Sequence, residues 1–250
     1  HGWDPDNITS PIIAAFGDLF TLPAIILSLF ILQVLDINWI VKDAALLIII
    51  LLVAISFIYC YKLSDETKTI LRQSTPVLLL CSFLGCSAGA ILNSAVETLL
   101  TNPTLLTLLP LFSGESGSLI SILGARLSSG LHSGLIEPST KPEGNAVYNF
   151  GVCIVLSIII FPFIGILAEG SSFILKTAGV GFDKIMEIST ISGLILVTVM
   201  AFLVYYISIT SYRNNLDPDN IVIPISTSIT DSISSLILIS VSLIILGVLI

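Results

Sequence analysis

Apolar residues run along this chain in blocks long enough to cross a bilayer, with polar residues gathered between them. The blocks cover about 8–34, 40–61, 75–100, 104–135, 146–168, 187–211 and 220–250. Roughly 20 apolar residues, at about 1.5 Å of rise each, span a ~30 Å hydrocarbon core, so the pattern predicts about seven transmembrane helices. The first contains Pro11 and Pro23, and the second is almost uninterrupted Leu, Ile, Val and Ala. The third carries Gly85, Ser87, Ala88, Gly89 and Ala90, small residues that let helices approach closely. The fourth differs. It holds Pro110, then Ser113-Gly-Glu-Ser-Gly-Ser118, then Arg126 and a run of Gly and Ser to Gly134. That composition predicts irregular backbone at membrane depth, which survives only when buried in protein or lining water. The polar intervals 62–74, 136–145 and 169–186 are predicted loops, the first being the most basic through Lys62, Lys68 and Arg72.

One phrase occurs twice. Asp4, Pro5, Asp6, Asn7, Ile8, Pro11, Ile12 and Asp18 recur as Asp217, Pro218, Asp219, Asn220, Ile221, Pro224, Ile225 and Asp231, at one constant offset. Such a match reads as an internal duplication. Each copy opens with a polar cluster and runs into an apolar helix that carries its Asp about 16 Å in, roughly half the depth of the hydrocarbon core. A carboxylate at that depth costs roughly 2.5–3.5 kcal/mol on insertion scales and marks a functional site by default. Two of them in related helices predict one shared site.

Composition narrows the class. Of 250 residues, 55% are apolar and 10% are charged, and mean hydropathy is +1.06. Soluble domains carry about 25% charge, so the fold class is all-α, a polytopic helical membrane protein. Nine basic residues with no basic patch argue against nucleic-acid binding. Cys60, Cys81, Cys86 and Cys153 all fall in apolar runs and read as small apolar residues rather than disulfides or metal ligands.

Seven spans put the chain ends on opposite faces. With the N-terminus cytoplasmic, the inner loops hold Lys62, Lys68, Arg72, Lys141 and Arg213, against Lys42, Lys176 and Lys184 outside. The expected placement is therefore an integral protein of the cell membrane, N-terminus cytoplasmic and C-terminus outside. The duplication divides the chain. Residues 1–35 read as the last helix of a first repeat, 36–74 as a linker helix and cytoplasmic loop, and 75–250 as a complete five-helix second repeat. Five spans invert orientation and the linker span restores it, so the repeats enter from one side, related by a pseudo-two-fold axis along the membrane normal. The rest of the first repeat is expected to precede residue 1, or a second copy to stand in its place.

On the last helix Pro224, Thr227, Ser228, Asp231, Ser234 and Ser235 form one polar stripe, while Ile225, Ile229, Leu236 and Ile237 cover the other side. The equivalent face of the first helix is Pro11, Ala14, Ala15, Asp18 and Thr21. Pro11 and Pro224 donate no backbone N–H, which frees carbonyls near Ile8 and Asn220 to face a pathway. Two carboxylates with hydroxyls and carbonyls make an all-oxygen site, which suits hard divalent cations. Mg²⁺ keeps most of its waters and needs only one or two carboxylates. Asn7 and Asn220 read as helix caps, with Asp6 and Asp219 drawing cations to the inner mouth. Arg126 either snorkels to the inner surface or pairs with a carboxylate beside the pathway. Glu115 is a break-point loop residue or a pathway residue, and His132 a surface residue at a helix end. Two other readings of the aspartates stand beside transport. One is a membrane scaffold with structural carboxylates. The other is an intramembrane aspartyl protease, of which Gly17-Asp18 gives only a partial motif.

The phrase Asp-Pro-Asp-Asn-Ile-x-x-Pro-Ile-x(5)-Asp resembles the last helix of the MgtE-type magnesium transport domain, and especially its two-repeat members, the solute carrier 41 group. Pro110-Leu-Phe-Ser-Gly-Glu-Ser-Gly-Ser-Leu, followed by Ala125-Arg-Leu-Ser-Ser-Gly-Leu-His, is similar to that family's Gly-x-x-Gly-Asn-Leu and Ser-Arg-Leu-Ser-Thr segments. Ser118 stands where the family has Asn. The resemblance implies transport of Mg²⁺ across the bilayer without enzymatic chemistry. It assigns ion binding at the axis to Asp18 and Asp231, with backbone carbonyls near Ala14 and Thr227 as further contacts.

Overall fold

A computed structural model describes residues 8–34 and 39–247, and every regular element among them is an α-helix. In chain order these are α1 (Thr9–Val34), α2 (Trp39–Leu63), α3 (Asp65–Ser94), the short α4 (Val96–Thr101), α5 (Pro103–His132), α6 (Asn145–Leu175), α7 (Phe182–Arg213) and α8 (Pro218–Leu246). All but α4 are long and apolar enough to cross a membrane. The seven predicted spans correspond to these seven helices.

Three predicted irregularities are not there. The basic interval 62–74 is helical apart from Ser64, which accepts the Thr67 N–H at 3.1 Å as the N-cap of α3. Asp65 and Lys68 pair at 2.7 Å in the next turn, so polar composition marks a helix end projecting past the apolar zone. The segment 104–135 is one continuous helix to His132, with Pro110 inside it and Glu115 on it rather than in a loop break. Its glycines and serines are contact residues. A Cβ on Gly124 would stand 3.3 Å from Val222 Cγ1, and Ser116 and Ser128 are fully buried. Where water is absent, closing the backbone ladder outweighs the weak helix propensity of Gly and Ser. The interval 169–186 shrinks to 176–181, because α6 continues to Leu175.

The closely packed body is α3 and α5–α8, with α5 at its hub against α1, α6, α7 and α8. Antiparallel α6 and α7 meet along their length. Gly165 lies against the Ile185 carbonyl and Met186 Cα, Phe161 sits over Gly193, and Phe150 is edge-on to Phe202 and Tyr205. Parallel to α8, α3 joins it through Ser232 Oγ to the Leu84 carbonyl (3.0 Å), Cys81 Sγ to the Pro224 carbonyl (3.3 Å) and Ser87 to Ser232 (3.3 Å). The small residues of α3 divide accordingly. Ser87 and Ala88 face α8, whereas Gly85 and Gly89 are exposed on the outer side. Apart from its contact with α3, α2 displays apolar side chains on every side, as a lipid-facing helix does. All four cysteines are free thiols; Cys153 is buried and Cys86 exposed.

One end of the bundle gathers the α2–α3, α5–α6 and α7–α8 junctions. Arg213 donates to the Pro138 carbonyl through Nε (3.1 Å) and Nη2 (2.5 Å), and buried Tyr205 donates its hydroxyl to the Lys141 carbonyl at 2.9 Å. At the opposite end the buried Glu169 carboxylate accepts the Gly181 N–H at 3.0 Å and the Val180 N–H at 3.3 Å. It thereby fixes the short turn into α7. Glu169→Ala removes the acceptor of two partly exposed backbone donors, and is expected to cost about 1–2 kcal/mol. The check is thermal denaturation of the detergent-solubilised protein, in which Glu169→Gln, retaining one acceptor oxygen, should lose less.

Candidate functional site

Of the predicted α8 stripe, Ser234 and Ser235 are buried, Pro224, Thr227 and Ser228 are half-buried, and Asp231 is exposed. Ser226, Thr230, Ser234 and Ser235 are buried in the bundle, whereas Leu236 on the reverse side is exposed. The hydroxyls of Ser226, Thr227, Thr230, Ser234 and Ser235 each find an acceptor within α8 or on a neighbour, which lets polar side chains enter an apolar bundle without orphaned donors. Ser226 donates to the Val222 carbonyl at 2.6 Å and Thr230 to the Ser226 carbonyl at 2.7 Å. Thr227 Oγ1 reaches the carbonyls of Ile223 (2.9 Å) and Pro224 (3.1 Å), and Ser228 offers its carbonyl to Ser232 at 3.3 Å. Around Pro224, where the helix lacks a backbone donor, carbonyl oxygens and hydroxyls are therefore concentrated.

Asp231 lies midway along α8 and is exposed, held by α5. Ser113 Oγ donates to Asp231 Oδ1 at 2.8 Å, and Ser234 Oγ donates to Ser113 Oγ at 3.2 Å. Ser234 and Ser235 also donate to the Asp231 backbone carbonyl, at 3.1 and 3.0 Å. The carboxylate is thus oriented by a two-hydroxyl relay on an exposed residue. Ser113 is the contact that sequence reasoning misses. It sits in the Gly/Ser segment that composition marks as irregular, and only the antiparallel α5–α8 pairing brings it to Asp231.

Two residues beyond Ser113, Glu115 projects on another side of α5. With Ala15 of α1, Pro110, Leu111, Gly114 and Ser118 it lines a cavity of about 220 Å³. Here α1 meets α5 through Ala15, and α1 makes no close contact with α8 among the described residues. The Asp18 and Ala14 backbones lie within α1, and Asp219 within the first turn of α8. The side chains of these three are outside the described residues, as are Asp6 and Asn7 altogether. Pro11 occupies the first turn of α1. Asn220 is inside the first turn of α8 rather than at its cap. Its Nδ2 donates to Asp217 Oδ2 and to Gln73 Oε1 of α3, both at 3.2 Å, tying two helices at the bundle end. His132 ends α5 on the surface, 3.7 Å from Asp217 and edge-on to Tyr212. Arg126 donates from Nε to Asn149 Oδ1 at 2.7 Å, joining α5 to α6 away from Asp231.

Among the described residues no three His, Cys, Asp or Glu side chains converge as a metal cluster. Around Asp231 the donor set is a carboxylate with hydroxyls and carbonyls, oxygen throughout. That chemistry matches a hard cation carrying its own waters, not a dehydrated metal in a protein cage.

Seven membrane-length helices around an oriented mid-helix carboxylate make this an integral membrane protein. The family model MgtE, described as a divalent cation transporter, matches residues 109–241, more than half of the chain, and the chain belongs to that family. It is similar to solute carrier family 41 member 2 of Xenopus laevis, 24% identical over 95% of this chain and 44% of that protein. The proteins of the same name from Mus musculus and Homo sapiens are 28% and 26% identical, over 57% and 59% of this chain and 24% and 26% of theirs. The chain therefore spans less than half the length of these curated relatives. No solved structure matches it.

Proposed function

We propose that this chain builds one part of a divalent-cation pathway, with hydrated Mg²⁺ as cargo and Asp231 and Asp18 as its two charged contacts. The observation that carries the reading is the exposed Asp231 carboxylate, fixed by Ser113 at the middle of a membrane-length helix. Membership in a family of divalent cation transporters supports it. In this mechanism Asp231 accepts hydrogen bonds from the ion's water shell. Ser113 holds the carboxylate against rotation, so orientation costs little when the ion arrives. The carbonyls around Thr227 and Pro224 act as weaker acceptors one and two turns away. Stepwise hand-over between such sites, with no covalent step, moves the ion.

The constant-offset duplication supports treating 1–35 as the end of a first repeat, 36–74 as linker helix and loop, and 75–250 as a full second repeat. The role of Asp231 then passes to Asp18 by symmetry. In this arrangement α5 is the shared wall, with α8 on its Ser113 side and α1 on its Glu115 side, and Glu115 adds negative potential beside the path. Asp6 and Asp219 supply charge at the mouth where α1 and α8 begin. The protein is placed in the cell membrane with its N-terminus cytoplasmic, and a first repeat of the same protein or a second copy completes the pathway. The test is Mg²⁺ uptake into proteoliposomes by the complete protein, comparing wild type with Asp18→Asn and Asp231→Asn. Loss of flux in both, with unchanged gel-filtration profiles, supports the shared site. Persistent flux in both reduces the carboxylates to helix-packing groups.

A further inference from the structure

The turn between α6 and α7 sets an apolar tip on a rigid polar base. The base is made of buried groups. Ser172 Oγ and Thr104 Oγ1 lie 2.8 Å apart and join α6 to α5, while the Glu169 carboxylate holds the Val180 and Gly181 N–H groups. A Cβ on Gly179 would overlap that carboxylate, so the turn closes directly over it. Lys176 takes the left-handed conformation (φ 55°) that ends α6 sharply. Its N–H returns to the Phe173 carbonyl at 3.3 Å, and the Thr177 N–H to the Ser172 carbonyl at 3.0 Å. The tip is open. Phe173, Ile174 and Leu175 are 84%, 78% and 67% exposed, and Phe182 at the start of α7 is 50% exposed. The braced backbone gives these side chains no route inward, so an apolar surrounding has to come from outside the bundle.

Continuity and depth identify that surrounding as lipid. Ile159, Phe163, Ile166 and Phe173 fall on one side of α6, and all four are exposed. The tip therefore prolongs the outward stripe of a membrane-length helix. Tyr148, exposed near the start of α6, is an amphipathic ring suited to one headgroup level. With the hydrocarbon core beginning near Phe150, about 20 residues at ~1.5 Å each carry it to Gly170. Phe173 and Leu175 then stand roughly 5–8 Å beyond the core, in the interfacial layer that brings a bilayer to ~40–45 Å. Charge agrees with this placement. Lys176 and Lys184 flank the apolar group and are exposed, and neither makes an ion pair or side-chain hydrogen bond among the described residues. From Phe173 to Lys184 they stand against one acid, Asp183.

We propose that the α6–α7 turn is a membrane-interface anchor that engages an anionic phospholipid surface. Phe173, Ile174, Leu175 and Phe182 seat at the headgroup–acyl boundary, and Lys176 and Lys184 contact the lipid phosphates. The chain has two tryptophans, so Trp3→Phe and Trp39→Phe make Phe173→Trp the sole tryptophan of the full chain in nanodiscs. Phe163→Trp, on the same stripe at mid-helix, is the deep reference. Both positions are mostly exposed, and gel filtration with thermal melts checks that each variant stays folded. Phe173→Trp should be quenched most by phosphatidylcholine brominated near the carbonyl end of its acyl chains. Phe163→Trp should respond most to bromine near the terminal methyl. Replacing the brominated phosphatidylcholine with phosphatidylglycerol brominated at the same carbons tests the lysines. Its local enrichment at Phe173→Trp should be about fivefold for one basic group at a lipid surface. Lys176→Gln with Lys184→Gln should remove that excess and leave quenching by phosphatidylcholine unchanged. Quenching of Phe173→Trp by aqueous iodide alone would place the tip in water and overturn the proposal. Quenching by neither iodide nor lipid, as under a protein cover, would overturn it too, as would equal quenching by the two lipids. No readout involves ion flux, so the anchor and the cation pathway stand or fall separately.

Discussion

Asp231→Asn is expected to lower Mg²⁺ flux at least a hundredfold while the bundle stays folded. The substitution is nearly isosteric, and the amide oxygen still accepts from Ser113 Oγ, which lies 2.8 Å from Oδ1. The serine relay that orients position 231 therefore survives, as do the bonds from Ser234 and Ser235 to its backbone carbonyl. What disappears is one negative charge. A unit charge and a divalent ion ~5 Å apart attract by roughly 6–7 kcal/mol at an effective dielectric of 20. Losing half of that already exceeds the ~2.8 kcal/mol that corresponds to a hundredfold change. Ser113→Ala separates charge from orientation. It keeps the carboxylate and removes its donor, and is expected to reduce flux roughly tenfold, as befits one hydrogen bond to a charged group. Initial rates of Mg²⁺-sensitive dye response in proteoliposomes measure both. Equal loss in the two variants would show that geometry, not charge, limits transport.

The difference between these two variants follows the division between what the sequence discloses and what it withholds. Asp231 can be picked out from the chain alone, because a carboxylate in an apolar run has a solvation cost that only a function or a partner explains. The inward turn of Ser234 and Ser235 can likewise be anticipated, since side chains three and four residues apart share a helix face. Ser113 cannot. It sits more than a hundred residues away in a Gly/Ser tract, and local composition gives that tract the signature of a broken helix. Propensities are measured where water competes for the backbone. In α5, burial of Ser116, Gly124 and Ser128 against neighbours removes that competition, and the helix runs unbroken past Glu115. The same effect hides Glu169. A carboxylate near the end of an apolar block has the look of a loop residue, yet α6 continues past it and its oxygens serve the Val180 and Gly181 backbone. Boundaries fixed by tertiary hydrogen bonds leave no local trace.

A large stability effect is expected at Gly193, where two physical terms have opposite signs. Helix propensity favours Gly→Ala by about 0.5–1 kcal/mol. Packing opposes it. A Cβ on Gly193 would overlap the ring of Phe161, which has no exposed surface and no room to swing, being packed at a tilt against Phe112 with centroids 5.1 Å apart and carried by a residue whose carbonyl accepts the Ser189 hydroxyl. One turn further along, a Cβ added at Gly165 would stand 3.2 Å from the Ile185 carbonyl oxygen and Met186 Cα, so the two helices are close there too. Overpacking a dense core costs about 1–3 kcal/mol, and Gly193→Ala should therefore be destabilising by about 2 kcal/mol despite the better propensity. Gly151 on α6 is the control. It is exposed, and nothing stands within 4 Å of an added Cβ, so Gly151→Ala should be neutral or slightly stabilising. The decisive combination adds Phe161→Leu to Gly193→Ala. A smaller side chain at 161 leaves a void when made alone, but accommodates the new methyl when made together. The pair should therefore recover about 1 kcal/mol or more relative to the sum of the single changes. Thermal melts of the four proteins in one detergent measure this coupling. Strict additivity would mean that propensity and not the Phe161 contact governs the α6–α7 crossing.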